Sequence, residues 1–209
     1  MKKRIVRQEI NAMEKRRRVQ FANSLPGLKS AQLIGTINQH AQTNLAIFSS
    51  FLHVGSSPPL YGFITRPTTV ARHTYQNIRS TSFYTVNHIH HTLYRQAHQT
   101  SARYEAHISE FDACGFTPEF KAGFPAPFVA ESHIQLGLKY VEEHPIAANG
   151  TILLVGELLE LWVPPGYLGE DGYVDAEAAG SVGVSGLDSY HLTNRLERLP
   201  YAKPGKGKP

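Results

Sequence analysis

Residues 44–87 read NLAIFSSFLHVGSSPPLYGFITRPTTVARHTYQNIRSTSFYTVN. Ser49 and Ser50 close one apolar run, Thr65 and Arg66 close the next, and Arg72, His73 and Thr74 open a short helical pattern. Two strand ends and a helix start would bring hydroxyls, guanidiniums and backbone N–H groups to one place. A helix N-terminus adds unpaired N–H groups and a dipole that favours phosphate. Arg72 can donate in the bidentate manner and Thr74 through its hydroxyl. This is chemistry for holding a planar anion, and no acid or nucleophile stands beside it. The same residues also read as plain architecture, with Thr74 capping a helix and Arg66 and Arg72 as solvent charges.

Other chemistries find less support. No G-x-G-x-x-G follows a strand, and no Gly-Lys-Ser/Thr phosphate loop or G-x-S-x-G elbow occurs. The glycines of GSVGVSG have no long helix behind them and read as a bend beside a strand. On a strand, His88 and His90 share one face and His91 takes the other. Two imidazoles fall short of the three protein ligands of a catalytic zinc, and nothing in the spacing selects a third from His98, His107 or His133. No metal is expected. A Ser/His/Asp hydrolase would need a base that cannot be chosen among eleven histidines. Cys114, in EFDACGF, lacks a basic neighbour and reads as a half-buried, inert thiol.

These groups must be positioned by a chain of 209 residues, enough for one well-cored domain. Its 41% hydrophobic and 10% aromatic content is that of an ordinary soluble protein. No apolar run approaches the ~20 residues of a membrane span, and no apolar stretch of a signal peptide follows Lys2, Lys3 and Arg4. One cysteine excludes an internal disulfide, so a cytoplasmic setting is expected. The net charge of +4 comes largely from the ends, Arg16–Arg18 and the tail lysines 203, 206 and 208. Without exposed aromatics interleaved, this favours solubility over nucleic-acid binding.

Periodicity predicts a short amphipathic helix over 5–18 and strands at 33–37, 60–64 and 83–89. The apolar segment 44–54 is broken by Ser-Ser-Pro-Pro at 56–59, and a short helix fits 73–80. A helix is predicted over 92–112, a helix start or turn at 117–119, and an extended connector through GFPAPFVAES. Strands over 134–142 and 150–163 follow, then an acidic, turn-rich stretch to 179 and a last short strand at 182–184. Many short strands with few helices predict a mainly β barrel with helical decoration.

NLAIFSSFLHVGSSPPLYGFITRP followed by RHTYQNIRSTSFYTVN resembles the flavin reductase-like family of FMN-binding split barrels, and is most similar to its flavoredoxin-type branch. The resemblance continues through NSLPGLKSAQLIGT, HQTSARYE, ISEFDACGFTPEF, GLDSYH and YAKP. It implies a six-stranded antiparallel split β-barrel over residues 1–201, with 202–209 a disordered basic tail, and a homodimer holding one FMN per subunit. By the same resemblance, Ile47, Phe48, Ser49, Ser50 and Phe51 run beside the flavin. Thr65, Arg66, Arg72, His73 and Thr74 surround its phosphate, although many relatives carry Asp where this chain has His73. His98, Thr100 and Ser101 lie near the ring, and Tyr190 and His191 match the rim of a substrate pocket. The implied activity takes electrons from NADH or NADPH, through FMN, to free flavin, a ferric chelate or a protein acceptor. The alternatives are an FMN electron carrier reduced by a protein partner, and a barrel without flavin that serves as a binding module.

Overall fold

The stretch QLIGTI is buried at five of its six positions, so it must be covered on both faces. The computed structural model describes residues 1–121 and 123–204. Helices α1 (Arg7–Ala12) and α2 (Lys15–Ser24) come first. Strands β1 (Lys29–Ser30), β2 (Gln32–Ile37), β3 (Thr43–Phe48), β4 (Leu52–Ser56) and β5 (Pro59–Thr65) follow. After α3 (His73–Thr81) and β6 (Phe83–His88) come α4 (Tyr94–Gln99), α5 (Glu110–Cys114), β7 (Pro118–Glu119) and β8 (Phe128–Val129). A long hairpin, β9 (Gln135–Ile146) and β10 (Thr151–Trp162), precedes β11 (Gly183–Ser185) and β12 (Ser189–His191).

Seven strands pair antiparallel in the order β3-β2-β6-β9-β10-β5-β4. The two ends of that order, β3 and β4, are consecutive in the chain, so the sheet curls until its ends meet. Ser50 makes the joint. Its Oγ donates to the Ile64 carbonyl (3.2 Å) and accepts from the Ile64 N–H (3.0 Å), supplying by side chain a rung that the backbone leaves out. The mainly β, antiparallel class is as expected, with seven strands in the sheet where six were. The apolar segment 44–54 is two strands because of this joint, and Ser-Ser-Pro-Pro forms the turn between β4 and β5.

Alternation along β2 separates two cores. Ile34 faces inside the barrel with Phe63, Tyr84, Val86, Leu138 and Leu154. Leu33 faces outward with Leu45, Ala97, Phe111 and Val184, under the short helices. Full burial contributes about 1.5–3 kcal/mol for each large apolar side chain. In ILLVGELLELWV, equally apolar as a helix, Gly156 is explained by Tyr84. A Cβ at 156 would collide with that ring and its hydroxyl, at a register shift of β10 against β9.

Several elements differ from expectation. The helix over 5–18 is two helices, because the Glu14 side chain accepts from the Arg16 and Arg17 N–H groups and caps a new start. Neither α1 nor α2 buries a residue, so the amphipathic reading fails there. The helix over 92–112 is broken from 100 to 109. Thr100 Oγ1 turns back to the Ala97 carbonyl (2.8 Å) and Ser101 Oγ to that of His98 (2.7 Å), ending α4. Pro118 and Glu119 form a strand with Phe128 and Val129. β11 gains a partner in β12, paired Val184 to Tyr190. Cys114 is buried where half-burial was expected, and burial pushes its thiol pKa up. The predicted tail lies partly outside the described residues, and 202–204 are exposed.

Removing the Ser50 hydroxyl strands both polar groups of Ile64. Ser50→Ala should lower the unfolding free energy by about 1–3 kcal/mol in urea titration of the protein without added ligand. An unchanged midpoint would deny Ser50 its place as the joint.

Candidate functional site

β3 has a partner on one side only, and its free edge is where the candidate residues gather. The Leu45 N–H points away from β2 and donates to Glu110 Oε2 (3.0 Å). Antiparallel ladders alternate, so Ile47, two residues on, shares that outward direction. Its side chain packs against the same outer core that Tyr94, Tyr104 and Tyr190 cover. Phe48 meets Phe63 edge-on (4.9 Å), and Phe51 stacks on Tyr61 (5.3 Å). With the Ser50 hydroxyl occupied by Ile64, residues 48–51 offer a ligand the half-buried Ser49 hydroxyl, backbone and half-buried ring edges. The Phe51 carbonyl already accepts from Ser30 Oγ (3.3 Å).

At the far end of this edge, three guanidiniums share one neighbourhood. Arg72 is half-buried, with Nε donating to the Pro67 carbonyl (3.2 Å). Its pKa is held below the usual range, first by burial and then by Arg66 and Arg103. Among the described residues, none of the three has a salt-bridging carboxylate. Arg72 is also the N-cap of α3 and gives it no side-chain cap, so the first-turn N–H groups stay open. Thr74 is buried, and its Oγ1 accepts from Asn44 Nδ2 (3.1 Å), which leaves its own hydrogen to donate. Asn77 Nδ2 donates to Thr36 Oγ1 (3.1 Å) and pins the same helix to β2. Thr65 is buried at the end of β5, directly before exposed Arg66.

His73 has another neighbour. Burial raises the pKa of Glu110, while the Leu45 N–H, its own N–H and His73 pull it back. His73 therefore faces a buried carboxylate.

The segment after β6 brings the aromatic end. His98 Nδ1 lies 3.0 Å from the Tyr190 hydroxyl, and Tyr94 packs 5.4 Å from the Tyr190 ring. Burial, then Asp188, pushes the Tyr190 pKa up to about 12, so the phenol stays protonated. Thr100 and Ser101 spend their hydroxyls on α4 carbonyls and present none outward. His191 faces away from Tyr190 along β12, with Nε2 2.8 Å from Ser185 Oγ. Arg103, inside HQTSARYE, has Glu105 two residues on, and nothing local sets it apart as a phosphate ligand. Among the described residues, no group of three or more His, Cys, Asp or Glu is placed to hold a metal ion. No helix there is long and apolar enough to cross a membrane.

Comparison with known proteins agrees with the fold. A family model described as Flavin reductase like domain matches residues 30–178. A crystal structure from Shewanella frigidimarina, provisionally described as a flavin reductase with a split barrel domain, is 47% identical. It covers 96% of this chain and 100% of its own, with a TM-score of 0.93. Nitrilotriacetate monooxygenase component B from Bacillus cereus matches at 17% identity over 95% of this chain and 100% of its own, TM-score 0.82. Flavoredoxin of Desulfovibrio vulgaris matches at 21% identity over 87% and 94%, TM-score 0.71. The last two show the fold alone.

The buried Glu110 predicts a pH signature. Its native pKa lies above the unfolded one, so its contribution is most favourable when protonated and declines as pH rises through that interval. Glu110→Gln keeps an acceptor for Leu45 and should become more stable relative to the parent between pH 4 and 7, read from thermal unfolding at each pH. A parent and variant that run parallel would place Glu110 outside the low-dielectric interior.

Proposed function

The chain belongs to the flavin reductase like domain family, and on that premise we propose that it binds FMN and moves electrons from a reduced nicotinamide, NADH or NADPH, to an acceptor such as free flavin or a ferric chelate. The observation that carries this reading is the cluster of Arg66, Arg72 and Arg103 at the uncapped start of α3, with no acid among the described residues to neutralise it. Three cations and open N–H groups concentrated at one spot fit a terminal phosphate dianion, which is what FMN carries and riboflavin lacks.

Within this reading, Arg72, Arg103 and the α3 N–H groups hold the phosphate, with Arg66 at the solvent side. Thr74 donates its hydroxyl hydrogen, and Asn44 fixes its orientation. The outward backbone at Ile47 is placed to hydrogen-bond a polar ring edge, and the Phe48 and Phe51 stacks keep that backbone rigid. Tyr190, oriented by His98, forms a neutral polar rim. When bound, FMN supplies the redox chemistry, which accounts for the missing side-chain acid or nucleophile. Arg66, His98, Ser101 and Arg103 are exposed, so a second copy of the chain covering this edge is part of the proposal.

Two measurements test it. Anaerobic titration of the FMN-loaded protein with NADH and NADPH should bleach the flavin absorbance. A band that responds to dithionite and to neither nucleotide would remove the nicotinamide step, and failure to take up FMN would remove the whole reading. Arg103→Ala should weaken FMN binding about tenfold while leaving riboflavin binding unchanged, the loss expected for one exposed charge-assisted contact. Equal losses for both ligands would take Arg103 away from the phosphate.

A further inference from the structure

Residues 174–182 are fastened to the barrel by burial of Ala179 and Val182 and by a set of histidines. His88, on β6, sets Nδ1 3.0 Å from Ser181 Oγ. His133, just before β9, sets Nδ1 3.2 Å from the Ala179 carbonyl, and its ring stacks on Tyr167 at 5.9 Å. The rings of His90 and His91 lie 4.1 Å apart and close over Gly180, where a Cβ would run into both. His133 packs 4.8 Å from His90. Two backbone bonds complete the seam, His91 N–H to the Gly180 carbonyl (2.9 Å) and Val182 N–H to that of Ile89 (3.0 Å). Beyond the seam the chain enters β11 and returns as β12 with Tyr190.

We propose that His88 and His90, with His91 and His133 packed around the same segment, form an acid-sensitive latch, which holds residues 174–182 on the barrel while the two are neutral and loosens them as those two take up protons. The charged groups around the seam offer the imidazoliums little relief. His90 faces His91 and His133, and its Nδ1 is engaged by Thr92 (2.8 Å). Lys29 and Glu177 line the 240 Å³ cavity that His88 also lines, and Glu177 is taken up by Arg195 together with Asp175. Burial holds the His88 pKa down at about 4, and burial with His91 and His133 lowers that of His90.

The closed segment therefore binds fewer protons than the open one. The latch is fully present above the free-histidine value and is lost as pH falls toward the depressed one. From His88 alone, opening becomes ~20-fold more favourable between pH 7 and 5. This inference stands apart from the flavin reading, since it concerns the protein without ligand.

Hydrogen exchange by mass spectrometry, corrected for intrinsic rates, measures it on the full chain. Protection of 176–185 should fall about 20-fold from pH 7 to 5 while β9 keeps its protection. In His88→Asn the fall should shrink to a few-fold. Equal protection at both pH values, or parallel loss in β9, overturns the latch. If the variant does not fold, ring-proton NMR of the parent decides: His88 still neutral at pH 5.5 is expected, and a His88 that is already protonated there overturns it.

Discussion

Everything in this molecule depends on a sheet whose first and last strands are neighbours in sequence. Three residues, Ser49, Ser50 and Phe51, must carry the chain from one end of the sheet to the other, and no backbone ladder spans that step. The Ser50 hydroxyl closes it by acting at once as donor and acceptor to Ile64. The closure leaves the outer edge of β3 unpaired at Ile47, and it turns Phe48 and Phe51 inward against Phe63 and Tyr61. One constraint thus produces the barrel and the exposed backbone beside it.

The remaining polar groups of the site are held from behind. Asn44 holds Thr74, Thr36 holds Asn77, and Glu110 holds the Leu45 N–H, so α3 and β3 keep a fixed spacing. Buried bonds of this kind add little net stability each but cost more when broken, which makes them specifiers of geometry. The guanidiniums in front of them have no such partners among the described residues. Rigid support with unsatisfied charge in front distinguishes this edge from an ordinary sheet margin.

Much of this was legible in the sequence. Alternation and turn residues located β2, β5, β6, β9 and β10, because burial on alternate faces leaves a period of two. The Ser/Arg/Thr punctuation of 49–74 marked the place where strand ends and a helix start meet. Less legible were features decided by long-range partners. Nothing local says that the Ser50 hydroxyl would be spent on Ile64, or that Thr100 and Ser101 would turn back on α4 and break the helical pattern of 92–112. Arg103 joins Arg66 and Arg72 only in three dimensions, and His73 finds Glu110 across 37 positions of chain. The glycine within ILLVGELLELWV has its reason only in the fold, where the Tyr84 ring needs the space that Gly156 leaves.

The mutual repulsion of the three arginines has a consequence for the life of the protein. Like charges held together without counterions raise the energy of the folded chain, and an anion that settles among them repays that energy to the fold. On the flavin reading, a chain without that anion would be the more readily unfolded and degraded form, so ligand supply would lengthen the life of each copy through three arginines that have no salt-bridging carboxylate among the described residues.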